Sequence, residues 1–177
     1  MEKTISQQEI FNGQVVKLTL HTIELTDGKT ATREVINHPG GVAILPVDDQ
    51  DRVYLVKQYR KPLEKEIIEI PAGKLHPGED PFLCAQRELQ EETGLTADKW
   101  EKIAAYYTTP GFTDEVLHVY LARELTAGAA CPDEDEILSV VVMPLVEALQ
   151  LVKSGEICDG KSMIALQHLA LSRLVNR

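Results

Sequence analysis

Strand-like apolar residues fill 13–25 and again 30–37, on either side of Thr26-Asp27-Gly28-Lys29. An Asp-Gly pair between two such runs predicts a β-hairpin. His38-Pro39-Gly40-Gly41 then interrupts the chain, and two more strands are expected near 42–47 and 52–59 around the turn at 48–51. A short run from Glu66 to Ile70 leads into Pro71-Ala72-Gly73. A helix is expected from Asp80, whose side chain can cap it, with Pro81 in the first helical position and Gly94 as the terminating glycine. On that helix Phe82, Ala85, Leu89 and Thr93 form the predicted buried stripe, with an acidic face opposite. Strands near 102–108, 115–122 and 137–143 follow, with a loop at 124–136 before the last. One helix is predicted from Pro144 to Lys153 and another from Lys161 to Val175. Strands, a helix, more strands and more helices in that order make an α+β protein.

Composition narrows the class. A chain of 177 residues with 44% apolar and 26% charged residues fits one domain with a real core, with room for a small extra element. The formal net charge of −10 argues against a nucleic-acid or anionic-membrane partner, since either needs a basic patch. Cys84, Cys131 and Cys158 are odd in number and far apart, without zinc spacing or a disulfide framework. With no membrane-length apolar run or secretory pattern, the expectation is a cytoplasmic protein.

The chemistry is concentrated between Gly73 and Leu95, in GKLHPGEDPFLCAQRELQEETGL. Glu79, Glu88, Glu91 and Glu92 surround one arginine, Arg87. On a helix Glu88, Glu91 and Glu92 share a face, where like charges repel and raise one another's pKa. Such crowding is most easily tolerated around a cation. Hard carboxylate oxygens suit Mg2+ or Mn2+, which in turn hold phosphate oxygens. The spacing alone therefore suggests a metal-dependent enzyme acting on phosphate.

Gly73, Glu79, Arg87, Glu88, Leu89, Glu91, Glu92, Gly94 and Leu95 fill every position of a known pattern, and the stretch resembles the Nudix box. Seven fixed residue types at background frequencies of roughly 5–8% give a chance match on the order of one in a billion per window. The alternative, a solvated acidic helix face, would make Arg87 and both glycines coincidental. The resemblance implies a Nudix α/β/α sandwich with a mixed sheet at 39–177, preceded by an N-terminal antiparallel β element at 1–38. It also implies hydrolysis of a nucleoside diphosphate linked to another group. Pro110, fifteen residues after Leu95, and the run Thr109-Pro110-Gly111-Phe112-Thr113-Asp114-Glu115 look like the substrate loop of the ADP-ribose pyrophosphatase subfamily. His38-Pro39-Gly40, Gln58-Tyr59-Arg60 and Glu69-Ile70-Pro71-Ala72-Gly73 are similar to it too.

From that resemblance the expected substrate is ADP-ribose, cleaved to AMP and ribose 5-phosphate. The expected metal ligands are Glu88, Glu92, Glu136 and the carbonyl of Ala72, holding Mg2+ or Mn2+, with Glu91 also in the metal shell. Glu134, in the acidic cluster Asp133-Glu134-Asp135-Glu136, aligns with the general base, although such a cluster alone reads as a solvated loop. Arg87 is assigned to orienting the glutamates through Glu79, and Gly73 to bending the backbone so that the Ala72 carbonyl faces the metal. Arg33 and Arg60 are candidates for the phosphates, Phe11 for the adenine, and Pro110, Gly111 and Glu115 for the sugar side. Tyr59 is a further aromatic candidate, while Tyr106 and Tyr107 read as strand or core residues. The N-terminal hairpin has little sheet of its own to join, and exchange with a second copy would satisfy it, so a homodimer is expected. Two alternatives stay open: hydrolysis of another substrate, such as GDP-mannose or a dinucleoside polyphosphate, and a sensor that binds ADP-ribose without cleaving it.

Overall fold

The computed structural model describes residues 1–130 and 137–175, which form two units. The first comprises Met1–Gly40 and Tyr106–Val116. Its sheet is antiparallel, in the order β1 (Lys3–Asn12), β2 (Lys17–Glu24), β3 (Thr30–Asn37), with the turn at Gly28, φ 81°, between the last two. Strand β1 was not foreseen. Every one of its residues is exposed, so it carries no buried alternation, and its register with β2 slips at two places. The segment 106–116 joins this unit through β3: Ile36 N donates to Phe112 O at 2.7 Å and Asp114 N to Ile36 O at 3.3 Å.

The second unit, Gly41–Ala105 with Leu117–Arg177, carries two sheets. In the first, β4 (Gly41–Pro46) lies between β7 (Ala72–Lys74) and β9 (Val116–Ala127), with β8 (Leu95–Tyr107) beyond β9. The β4–β7 pairing is antiparallel and the β4–β9 pairing parallel, so the sheet is mixed. All six residues of β4 are buried, which is why this stretch reads as a continuous apolar run rather than an alternation. The other sheet is β10 (Leu138–Pro144), β5 (Arg52–Arg60) and β6 (Lys65–Glu69), antiparallel throughout. Helices α1 (Pro81–Thr93) and α3 (Gly160–Val175) both pack on β4, and α2 (Leu145–Ser154) packs on α3, β5 and β10.

The box helix begins and ends as its sequence dictates. Asp80 accepts hydrogen bonds from Phe82 N at 2.8 Å and Leu83 N at 3.3 Å, Pro81 follows, and Gly94 closes the helix at φ 71°. Its buried side differs from the predicted stripe. Ala85 and Leu89 are buried with Cys84, against Val42, Ile44, Tyr120 and Ala122, but Phe82 is partly exposed and meets Trp100 edge-on at 5.5 Å. Glu88 and Glu92 are buried as well, so the acidic side of the helix does not face solvent as a whole.

Leu89 is fully buried at the centre of this cluster. Leu89→Ala is expected to lower unfolding stability by about 2–5 kcal/mol through lost burial and the cavity left behind. Denaturant titration checks this, with a shifted midpoint at unchanged slope as the expected result; a shift under about 0.5 kcal/mol would contradict the packing described.

Candidate active site

Three local devices bring the box carboxylates together. The helical spacing puts Glu88, Glu91 and Glu92 on neighbouring turns of α1. The strand β7 runs beside that helix, and Gly73 lies under Glu88: a methyl group on Gly73 would come within 1.9 Å of Glu88 Oε1 and 2.3 Å of Oε2. The carboxylate therefore occupies the space a side chain would fill. This close approach, not a left-handed bend, is why the position takes glycine, since Gly73 is absent from the residues of positive φ. Finally, the N–H of Ala72 donates to Glu92 Oε2 at 3.1 Å, fixing a side chain that is only 1% exposed.

Arg87 holds the rest. Its Nε and Nη2 donate to Glu79 Oε1 and Oε2 at 3.0 and 3.1 Å, the bidentate arrangement expected for an arginine and a carboxylate. Nη1 reaches Glu88 Oε1 at 2.7 Å and Glu91 Oε2 at 2.8 Å. One guanidinium thus bonds three of the four glutamates. The Arg87 side chain holds the Glu79 carboxyl down to about 2, against the cost of its own desolvation, with help from the His76 N–H at 2.9 Å. The same hydrogen bonds raise the pKa of Arg87, so it stays charged. Cys84 lies beside this network, accepting from Arg87 Nη2 at 3.3 Å, with its thiol pushed up to about 12 by burial.

Gly94 does more than end the helix. A methyl group there would meet Ala130 N at 2.7 Å and Gly128 O at 2.9 Å, and Gly128 N donates to Gly94 O at 2.6 Å. The end of the box helix is therefore the seat for the chain at 128–130. Glu134 and Glu136 lie outside the described residues.

The remaining predicted positions divide between the units. Arg60, at the end of β5, is in the second unit, where its Nε donates to Glu69 Oε1 at 2.6 Å. Tyr59 beside it is half exposed. Arg33, Phe11, Pro110, Gly111 and Glu115 belong to the first unit. There Arg33 pairs with Glu2 at 2.5 Å, and Phe11 is exposed on β1. Pro110 and Gly111 form the middle of a turn closed by Phe112 N to Thr109 O at 3.2 Å. Glu115 accepts from Thr108 Oγ1 at 2.6 Å, with His38 Nδ1 3.4 Å from its other oxygen. Burial disfavours the charge of the neighbouring Asp114, but hydrogen bonds from Asn37 Nδ2 and His38 N outweigh it and lower its pKa. Sequence reasoning missed Glu69 as a partner for Arg60, although both lie in runs that resemble the subfamily and Glu69 is an acid inside an otherwise apolar run, Ile67-Ile68-Glu69-Ile70.

Among the described residues, no three acidic, histidine or cysteine side chains converge into a closed metal cage. Four of the box oxygens, two on Glu79 and one each on Glu88 and Glu91, point at Arg87, and one on Glu92 points at the Ala72 N–H. The donor chemistry still fits a divalent cation: carboxylates packed at one helix face, two of them buried, supply hard oxygen ligands.

Glu79 gives a pH test of this network. Its pKa is depressed in the folded state, so its stabilising effect is full above its ordinary value near 4.5 and is lost as pH falls toward about 2. Glu79→Gln is therefore expected to be less stable than the wild type at neutral pH, with the gap closing between about pH 5 and pH 2. Thermal unfolding across that range measures it, and a gap independent of pH would contradict the assigned ion pair.

A model of the NUDIX domain matches residues 37–164. The chain is 51% identical over 172 residues to the ADP-ribose pyrophosphatase of Bacillus subtilis (strain 168), covering 96% of this chain and 93% of that one. It is 48% identical, with the same coverage, to the methanol dehydrogenase activator of Bacillus methanolicus. Among solved structures, an ADP compounds hydrolase superposes with a TM-score of 0.84 at 20% identity, over 96% of this chain and 92% of that one, a likeness of fold. With an unbroken box folded around Arg87 and a matching domain across most of its length, the chain belongs to the Nudix family.

Proposed function

We propose that this Nudix hydrolase cleaves ADP-ribose to AMP and ribose 5-phosphate with a divalent cation, Mg2+ or Mn2+. The observation that carries the reading is the inward-turned acidic side of α1, with Glu88 seated on Gly73 and Glu92 buried against the Ala72 N–H. The identity to a relative named for ADP-ribose hydrolysis selects the substrate.

Glu88, Glu92, the Ala72 carbonyl and Glu136 would hold the metal, with Glu91 beside them. A bound divalent cation would offset the charge of the diphosphate, polarise a P–O bond and acidify water. Arg87 keeps the glutamates aimed, a positioning task, since its own donors are engaged by Glu79, Glu88 and Glu91. Glu134 would take the proton of the attacking water, whose oxygen bonds to one phosphorus as the bridging P–O bond breaks. Arg60 would contact the phosphates, and Arg33, Phe11, Pro110, Gly111 and Glu115 the remainder of the substrate. Positioning and electrostatics supply most of the rate in such a transfer. The three cysteines and their spacing favour the cytoplasm as its compartment.

A homodimer through the first unit belongs to the same reading. Strand β1 presents Ile5, Ile10 and Phe11 to solvent, each more than half exposed, and a second copy would cover them. A second reading comes from the relative named a methanol dehydrogenase activator: the same hydrolase would act on a partner dehydrogenase.

A panel of nucleoside diphosphate derivatives with Mg2+, including ADP-ribose and GDP-mannose and scored for nucleoside monophosphate release, tests the substrate. ADP-ribose is expected to be cleaved fastest; binding without release would instead favour a sensor, and faster GDP-mannose cleavage a different substrate. Glu92→Gln is expected to cut turnover by at least about a hundredfold with an unchanged circular dichroism spectrum; retained turnover would remove Glu92 from the metal set. Sedimentation at micromolar concentration is expected to show a dimer, and a fully active monomer would contradict that assignment. In parallel, a methanol dehydrogenase whose rate is unaltered by the active protein would eliminate the second reading.

A further inference from the structure

A second cluster of opposite charges is buried away from the box. Glu69, the last residue of β6, is 1% exposed and accepts from Arg60 Nε at 2.6 Å and from Lys161 Nζ on the first turn of α3. Lys161 also donates to Asp159 Oδ1 at 2.9 Å. The same Asp159 oxygen caps α3 by accepting from Ser162 N at 3.1 Å, and Ser162 Oγ accepts from Ile70 N at 2.8 Å. Glu69 is therefore fixed from two directions, by the cation at its carboxylate and by the helix that holds the next residue.

A buried carboxylate must be paired, and a single cation would meet that need. Lys161, itself only 14% exposed at its side chain, is well placed to be that cation. The Arg60 side chain is 38% exposed against 2% for the Glu69 side chain it touches, so it sits at the rim with its Nε edge turned inward. A guanidinium is planar and rigid, so a charge-assisted bond at Nε helps to orient the whole fork. Three residues after Glu69, the Ala72 N–H donates to the box carboxylate of Glu92. The aim of Arg60 and the placement of the box are thus tied to one short stretch of chain.

We propose that Glu69, braced by Lys161, is a positioning residue that orients the Arg60 guanidinium toward a phosphate oxygen of the nucleoside diphosphate substrate. The proposal rests on the hydrolase reading above and adds to it the pair Glu69 and Lys161, neither of which touches substrate.

The test uses the full-length protein with Mg2+ and whichever nucleoside diphosphate derivative the wild type cleaves fastest. A preference for a compound other than ADP-ribose then defeats the substrate reading without touching this one. Glu69→Gln is expected to raise KM about tenfold and Lys161→Met about threefold, with kcat within about twofold, because a misaimed Arg60 loses binding shared by ground and transition states. Lys161→Arg is expected to restore the wild-type KM. An independent readout is the Arg60 Nε–H resonance, assigned by its disappearance in Arg60→Lys. It is expected downfield and slow to exchange in the wild type, and faster to exchange in Lys161→Met. KM unchanged in both variants would overturn the proposal, as would losses of kcat that merely follow the unfolded fraction. Should Glu69→Gln fail to fold, an Arg60 resonance unmoved in Lys161→Met would overturn it equally. A wild type that cleaves no nucleoside diphosphate derivative would sink both the hydrolase reading and the positioning role.

Discussion

Three glutamates on one face of a helix repel one another, and the site depends on how this chain contains that repulsion. Each like-charge pair at helical spacing destabilises a helix by a few tenths of a kcal/mol in water, and more once desolvated. Glu88 and Glu92 are both desolvated. Arg87 answers part of the problem by bonding Glu79, Glu88 and Glu91 at once. Gly73 answers another part by leaving a space that the Glu88 carboxylate fills, and the Ala72 N–H anchors Glu92. Carboxylates gathered this closely supply the hard oxygen ligands that suit a divalent cation brought to a phosphate.

The path of the chain from 69 to 74 turns this electrostatic arrangement into a rigid one. Ile70 N is held by Ser162 Oγ on α3, and Pro71 O accepts from Ile44 N on the central strand at 2.8 Å. Ala72 N bonds Glu92, and Lys74 O accepts from Arg87 Nη2 at 3.4 Å. Along this stretch the backbone is thus tied in turn to α3, to the sheet and to the box helix. A site built on such a stretch cannot shift one carboxylate without moving the strand that supports the others, which suits chemistry dominated by positioning.

Much of this was legible because its causes are local. Asp80, Pro81 and Gly94 delimit α1 through backbone geometry that a few neighbouring residues determine, and the Asp-Gly turn marks the hairpin in the same way. Strand β1 was not legible, because all of its residues are exposed and its pairing comes from β2 rather than from any pattern of its own. Glu88 and Glu92 were legible as metal ligands, but not as part of the buried side of the helix. Helical periodicity sorts side chains by polarity and placed the acidic face opposite the apolar stripe, whereas here a glycine and a backbone N–H on a neighbouring strand receive these carboxylates. The Glu69–Lys161 contact joins residues 92 apart in sequence, and no local spacing encodes it.

The most direct test of the central claim is anomalous diffraction from crystals of the full-length protein soaked with Mn2+ and a non-cleavable methylene analogue of ADP-ribose. The account predicts manganese peaks within coordination distance of Glu88 and Glu92 carboxylate oxygens, against the diphosphate. Clear density for the analogue elsewhere, with no anomalous peak at the Glu88–Glu92 face, would contradict it.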